Sequence, residues 1–468
     1  MLAKPGKFPA ITHHGAVTGV TGSCHQLHLS DDESLLVDCG MFQGGDDNPE
    51  ATSSLATFCD PRVRALLITH AHIDHIGRIP DLLQAGFNAP IYASAATIAL
   101  LPLMLTDAIK IGITRQPQQI RALLQQLERL LVPLPLQQWQ ALSDLPGIAV
   151  RLLPAGHILG SVSFELHITT PTGANRIVFS GDIGCKGTPL LADPVPPERA
   201  DILVLESTYG NRHHEGRAER QQTLRDIVER CVENRGAVLI PAFAVGRTQE
   251  LLYEIESIVD QARAQNDTGA WHDLQIILDS PLAAAVTETY QKFQSQWDEA
   301  AKQRLQNRRQ PLDFSQLHVI DSHSQHLELT SYLRQSAAPC IVIAGSGMCT
   351  GGRILNYLEV LLPDPRTDIL FVGYQAQGTL GRQLQAQPKT VTINDESVPV
   401  RAGIYSLSGY SAHADQPELL DYLAAMSELP KHVVLVHGEA DAKQVLATKI
   451  RERFDIAVVI PNQTAVTA

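Results

Sequence analysis

The chain has 468 residues, 44% of them hydrophobic and 19% charged, with a formal net charge of −13. That composition excludes a disordered or membrane-embedded protein, and the length exceeds one ordinary core, so two domains are expected. The negative balance argues against broad, nonspecific attraction to nucleic acid but leaves room for a local basic cleft.

Seven cysteines, none in a C-x-x-C pair, read as reduced packing thiols of a cytoplasmic protein. No stretch is apolar for long enough to span a bilayer, and Met1 to Lys7 lacks the apolar core of a secretory leader. Neither a membrane partner nor export is expected.

Taken in order, Gly15 to Leu29 alternates apolar positions with glycines, and Ser34 to Val37 reads as a short strand ending in Asp38 and a glycine turn. Asp38 is either a metal ligand or a carboxylate that orients a metal-bound histidine. The second role is favoured, because such contacts recur around zinc. The buried strand Val63 to Ile68 then runs into Thr69-His70-Ala71-His72-Ile73-Asp74-His75. Imidazole and carboxylate suit zinc or a similar divalent ion. His70 and His72 alternate as residues leaving a strand do, so they can share one side. Asp74 and His75 follow the turn and can face a second ion. Four ligands from so short a loop cannot all wrap one tetrahedral ion, so two ions are the simpler reading.

Ile79 to Ala85 reads as a helix and Ile91 to Ala93 as a strand. Helices over Ser94 to Lys110 and Pro117 to Leu131 follow, and Val132 to Pro135 closes that insertion. The Ile98 to Leu136 region carries no assigned role. Strands then deliver polar groups at their carboxyl ends: Ile148 to Leu153 leads to His157, Arg176 to Ser180 to Asp182, and Asp201 to Leu205 to Glu206. A lone histidine in such a loop would be structural; beside the ligand loop, His157 is a ligand candidate. One carboxylate, here Asp182, can bridge two cations.

From about Tyr209 helical segments alternate with short apolar strands, which predicts a second α/β domain with a mainly parallel sheet. Three of its loops follow a strand, open a helix and carry an arginine: the loop of Arg247, that of Ser346, Gly347 and Arg353, and that of Arg382. Helix N-termini and arginine both attract phosphate, so a phosphate-lined cleft is expected there. Lys302, Arg304, Arg308 and Arg309 form a basic run that reads as a solvated helix face. The last stretch returns to short strands, a helix and the histidines His413 and His437.

Together these motifs resemble one family. H-A-H-I-D-H with the later histidine and aspartates is similar to the metallo-β-lactamase fold, an α/β class in which an αββα sandwich carries a dinuclear metal site at one rim. The stretches around Glu206, Arg247, Ser346-Gly347-Met348, Ser408 to Asp415 and Leu435 to Glu439 resemble its β-CASP branch of nucleases. That branch includes the endonuclease subunit of pre-mRNA 3′-end cleavage and its prokaryotic relatives. The resemblance implies an inserted β-CASP domain over 209–396, flanked by the two parts of the metallo-β-lactamase domain, 1–208 and 397–468.

It further implies two zinc ions per chain, His70, His72 and His157 holding one and Asp74, His75 and His437 the other, with Asp182 bridging. His413, oriented by Glu206, is the implied general acid, and Arg247, Ser346, Gly347 and Arg382 are the implied contacts to substrate phosphates. His437 matches RNA-acting members, where DNA-acting ones typically have valine. The expected activity is zinc-dependent hydrolysis of single-stranded RNA, endonucleolytic or from the 5′ end, giving 5′-phosphate and 3′-hydroxyl products. A homodimer is compatible with this reading. A small-ester or thioester hydrolase would use the same metal loop but has no need of the Tyr209 to Glu396 domain or of His413. A non-catalytic subunit of an RNA-processing complex predicts decayed ligands, and none is found. No appended RNA-binding domain is evident before Ala468.

Overall fold

The computed structural model describes residues 8–42, 60–170, 173–214, 219–265, 270–336, 338–373, 375, 377–461 and 466–467. The chain divides into two compact units, Met1–His213 with His413–Ala468, and His214–Ala412.

In the first unit two sheets pack face to face. One has the order 466–467, Ala10–His13, His25–His28, Ser34–Val37, Val63–Leu67, Ile91–Ser94, Leu131–Leu134. The other runs Ala457–Val459, His432–Val436, Ile202–Glu206, Gly173–Phe179, Val162–Thr170, Ile148–Pro154, Gln140–Ala141. Alternation along each strand decides which residues meet. Ile11, Leu27, Leu35, Val37, Ala65 and Leu67 from one sheet pack against Val150, Leu152, Phe164, Leu166, Ile177, Phe179 and Val204 from the other. The opposite face of the second sheet, with Val178, Leu203, Leu205 and Leu435, is covered by the helices Gln416–Ala424 and Ala440–Phe454. This is the expected α/β sandwich. The segment read as closing the helical insertion is instead an edge strand: Leu131–Leu134 pairs in parallel with Ile91–Ser94. At an edge Pro133 withholds no N–H that the ladder requires.

The second unit holds a six-stranded sheet in the order Leu317–Val319, Gln275–Asp279, Cys340–Ala344, Ala237–Pro241, Asp368–Phe371, Gly403–Ser406, with every pairing parallel. A β-hairpin, Thr390–Ile393 with Glu396–Pro399, falls in sequence between the last two of these strands. The second compact unit runs past the expected boundary after residue 396. Gly403–Ser406 pairs with Asp368–Phe371, so the insertion keeps the chain through Ala412. Among the described residues no helix is long and apolar enough to cross a membrane.

Candidate metal centre

The site is built at strand ends of the first unit. Val63–Leu67 runs out through Ile68 and Thr69, and the short helix Ile73–Ile76 then turns Asp74 and His75 inward. His157 follows Ile148–Pro154, Asp182 follows Gly173–Phe179, Glu206 ends its own strand, and His437 follows His432–Val436. Close packing brings the strand ends together. At Gly181 the backbone has φ +56°, and an added Cβ would lie 2.7 Å from Cβ of Thr69, so only glycine fits beside the ligand loop.

Two groups result. His72 Nδ1 stands 3.1 Å from His70 Nε2 and 3.0 Å from His157 Nε2. His75 Nε2 stands 3.3 Å from His437 Nε2, which is 3.4 Å from Asp74 Oδ2. Asp182 has one oxygen toward each: Oδ2 is 3.4 Å from His70 Nε2 and 3.6 Å from His157 Nε2, while Oδ1 is 3.3 Å from His75 Nε2. Buried Oδ1 has no hydrogen-bond partner among the described residues. Ring nitrogens about 3 Å apart, with a buried carboxylate oxygen left unpaired, fit cations held at about 2.0–2.2 Å from each donor.

Electrostatics agree with that fit. Burial, joined by neighbouring imidazoles, pushes the pKa of His70 down to about 3 and holds that of His157 well below the usual value. Burial likewise lowers His72, to about 4. These rings are therefore neutral and offer lone pairs. Burial also opposes charge on His75, but Asp182 and Asp38 outweigh it and hold that pKa well above normal. For Asp74, burial is outweighed by the His437 hydrogen bond and by His75, and its carboxyl titrates below the usual range.

Asp38 stands behind the ligands. Its Oδ2 is 2.7 Å from His75 Nδ1, and its Oδ1 accepts from Thr69 N at 2.8 Å. That geometry leaves His75 Nε2 for a cation, the arrangement of an orienting carboxylate. Asp38 and His437 both carry positive φ, 60° and 50°. Such backbone costs about 1–3 kcal/mol per residue. Backbone bonds hold both in place, Asp38 N to Leu67 O at 2.9 Å and His437 N to Ala16 O at 2.7 Å.

His413, part-exposed, places Nδ1 3.1 Å from Glu206 Oε1. Glu206 is itself fixed, accepting from Ile183 N at 2.7 Å through Oε1 and from the Thr208 hydroxyl at 2.6 Å through Oε2. Burial disfavours a charged His413, but Glu206 and Asp182 raise its pKa to about 9. Sequence reasoning passed over Thr69 and Thr208; isolated hydroxyls carry no spacing pattern, and only their place inside T-H-A-H and E-S-T-Y marks them.

In the second unit the three arginine-bearing loops follow adjacent strands, Cys340–Ala344, Ala237–Pro241 and Asp368–Phe371, so they are neighbours. Gly347 packs on the Phe243 ring, and Gly381 N donates to Met348 O at 3.2 Å. Ser346 Oγ accepts from Thr350 N at 3.0 Å. Arg382 is exposed.

Arg247 departs from expectation. It is 7% exposed, its guanidinium is bonded to buried Glu250, and it lies over the Tyr410 ring at 5.8 Å. Buried glutamates need a cation more than the loop surface does, and Arg247 is drawn inward. Arg353 is tied in the same way to buried Asp279. In the basic run, Arg304 stacks 3.6 Å over Tyr253, and both Arg304 and Arg309 pair with Glu256. Arg247→Ala should therefore act on stability. Stripping one partner from a buried pair costs about 3–5 kcal/mol. With Arg220 still 3.2 Å from Glu250, the lower end is expected. Denaturant titration checks this, alongside an unchanged salt slope of RNA binding.

Comparison with known proteins comes to the same place. Residues 18–242 match the Metallo-beta-lactamase superfamily, 248–384 the Beta-Casp domain, and 397–461 the Zn-dependent metallo-hydrolase RNA specificity domain. The chain is 37% identical over 435 residues to Ribonuclease TTHA0252 of Thermus thermophilus, covering 92% of this chain and 93% of that one. It is 32% identical over 461 residues to Transcription termination factor FttA of Pyrococcus abyssi, covering 93% of this chain and 68% of that one. The FttA of Methanocaldococcus jannaschii is 29% identical over 459 residues, with 96% and 69% covered.

Proposed function

The chain belongs to the β-CASP ribonuclease family of the metallo-β-lactamase superfamily, and from that premise we propose how it cleaves RNA: at the histidine–aspartate centre, with two zinc ions. It is a metal-dependent hydrolase acting on RNA. In the proposal His70, His72 and His157 hold one ion, Asp74, His75 and His437 the other, and Asp182 joins them. The supporting observation is Asp182, one oxygen against each group and Oδ1 unpaired.

Bound cations of this kind lower the pKa of water and neutralise charge on phosphate oxygens. The remaining work falls to side chains. Asp38 and Thr69 fix the His75 ring. Glu206 holds Nδ1 of His413, which leaves Nε2 to protonate the departing 3′ oxygen. In the second unit the Ser346–Gly347 loop and Arg382 are the proposed phosphate contacts; Arg247, being buried, is left out. Single-stranded RNA as the form cleaved, a cytoplasmic setting and a homodimeric assembly complete the proposal, and light scattering measures the last.

Digestion of RNA labelled at either end, with 5′-triphosphate and 5′-monophosphate forms compared, is the direct test. A ladder means internal cutting, and mononucleotides released from the 5′ end mean exonuclease action. RNA left intact by zinc-loaded protein overturns the reading. The raised pKa of His413 sets a further expectation. An acid with a pKa between its ordinary 6.5 and about 9 is protonated below that value. kcat/KM should hence fall on the alkaline side within this window, and bound cations, by drawing on Asp182, pull the limb toward its lower end. The pH profile of His413→Ala should lack that limb.

A further inference from the structure

Thr208 touches both halves of the centre. Its hydroxyl lies 2.6 Å from Glu206 Oε2 and 3.1 Å from His437 Nδ1. A hydroxyl has one proton to give. The carboxylate oxygen takes it, being charged and nearer than the other acceptor in reach, the His437 carbonyl at 3.2 Å. The hydroxyl oxygen is then left to accept, and the donor facing it is His437 Nδ1–H. Asp182 Oδ1, 3.6 Å from the same nitrogen, is beyond hydrogen-bond range. With its proton on Nδ1, His437 turns a lone pair on Nε2 toward Asp74 and His75.

We infer that Thr208 is a positioning residue that sets the tautomer of His437 and braces Glu206 through one hydroxyl, tying the second cation position to the His413 acid. The inference rests on the ligand and acid assignments proposed above. The chain is directional: His437 Nδ1–H to Thr208 Oγ1, and Thr208 O–H to Glu206 Oε2. Glu206 Oε1 meets His413 Nδ1. Without the hydroxyl, Nδ1–H of His437 loses its acceptor, the proton can move to Nε2, and a ring protonated there cannot ligate. Glu206 meanwhile loses its shortest bond and keeps, besides His413, the backbone donors Ile183 N and Thr208 N at 3.2 Å.

The test is Thr208→Val beside Thr208→Ser, on zinc-loaded full-length protein. Chelator competition should show one zinc, assigned to the Asp74, His75 and His437 group, released roughly 10–100-fold more readily in Thr208→Val, the usual cost of removing an outer partner of a metal-bound histidine. The other zinc should be unchanged. kcat should fall while KM stays, and Thr208→Ser should restore both properties. Thr208→Val with wild-type zinc release and kcat overturns the inference, as does a Thr208→Ser that fails to rescue. Should the valine variant not fold, Thr208→Ala carries the same comparison. His437→Ala is the reference arm. If it keeps both zincs, the ligand assignment itself has failed. If it loses one while Thr208→Val loses neither, the inference about Thr208 alone has failed.

Discussion

Replacing Asp182 by alanine is expected to abolish turnover and to loosen both zinc ions together. Among the described residues no other carboxylate has an oxygen against each histidine group. Metal-supplied charge stabilisation is worth several kcal/mol in the transition state, so its loss costs roughly 10³-fold or more in rate. Asp182→Asn should behave alike, because the amide keeps the shape and loses the charge. Metal analysis after gel filtration, read beside the rate, checks this. A variant that keeps two zincs and its full rate removes Asp182 from the centre.

His413→Ala is expected to do the opposite to the metals and nearly as much to the rate. His413 Nδ1 is engaged by Glu206 Oε1 at 3.1 Å, which makes it the acid of the proposal, although Asp182, His413 and His437 also lie close enough to hold a cation. Both zincs and RNA affinity should persist while kcat falls by roughly 10²–10⁴, the usual contribution of proton transfer. The loss should shrink on RNA with a 3′-sulfur at the scissile link, since a thiolate departs with little need of a proton. Equal losses on oxygen and sulfur substrates, or a missing zinc, would make His413 a ligand or a structural residue.

The cluster of candidate ligands was legible because its signal is local and dense. His70, His72, Asp74 and His75 share one loop, and His157, Asp182 and Glu206 each sit where an apolar run stops. What the structure corrected depends on distant partners. Gly403–Ser406 reads as any short strand, and nothing nearby says that it pairs with Asp368–Phe371. Val132 to Pro135 is marked by prolines and so read as the close of the helical insertion, although an edge strand tolerates one. Arg247 shows how one local pattern serves two ends. A helix-opening arginine reads the same whether it meets a phosphate or a buried acid. Glu250, three residues on, was the available hint, and only the fold shows both side chains buried. Thr208 was beyond reach for the same reason, since its meaning lies in a histidine 229 residues away.

The strand His432–Val436 lies between Ile202–Glu206 and Ala457–Val459, in parallel with both. A ribosome makes the chain from the amino end, so the second sheet waits for its inner strand until the whole of 214–412 has emerged. His413 and His437 come out only after that unit. Until then the early segment holds His70, His72, His157 and Asp182 but has neither the acid nor the final ligand of the second group. The nascent chain therefore lacks the proposed acid and one proposed ligand until 214–412 and the strand His432–Val436 have both been made.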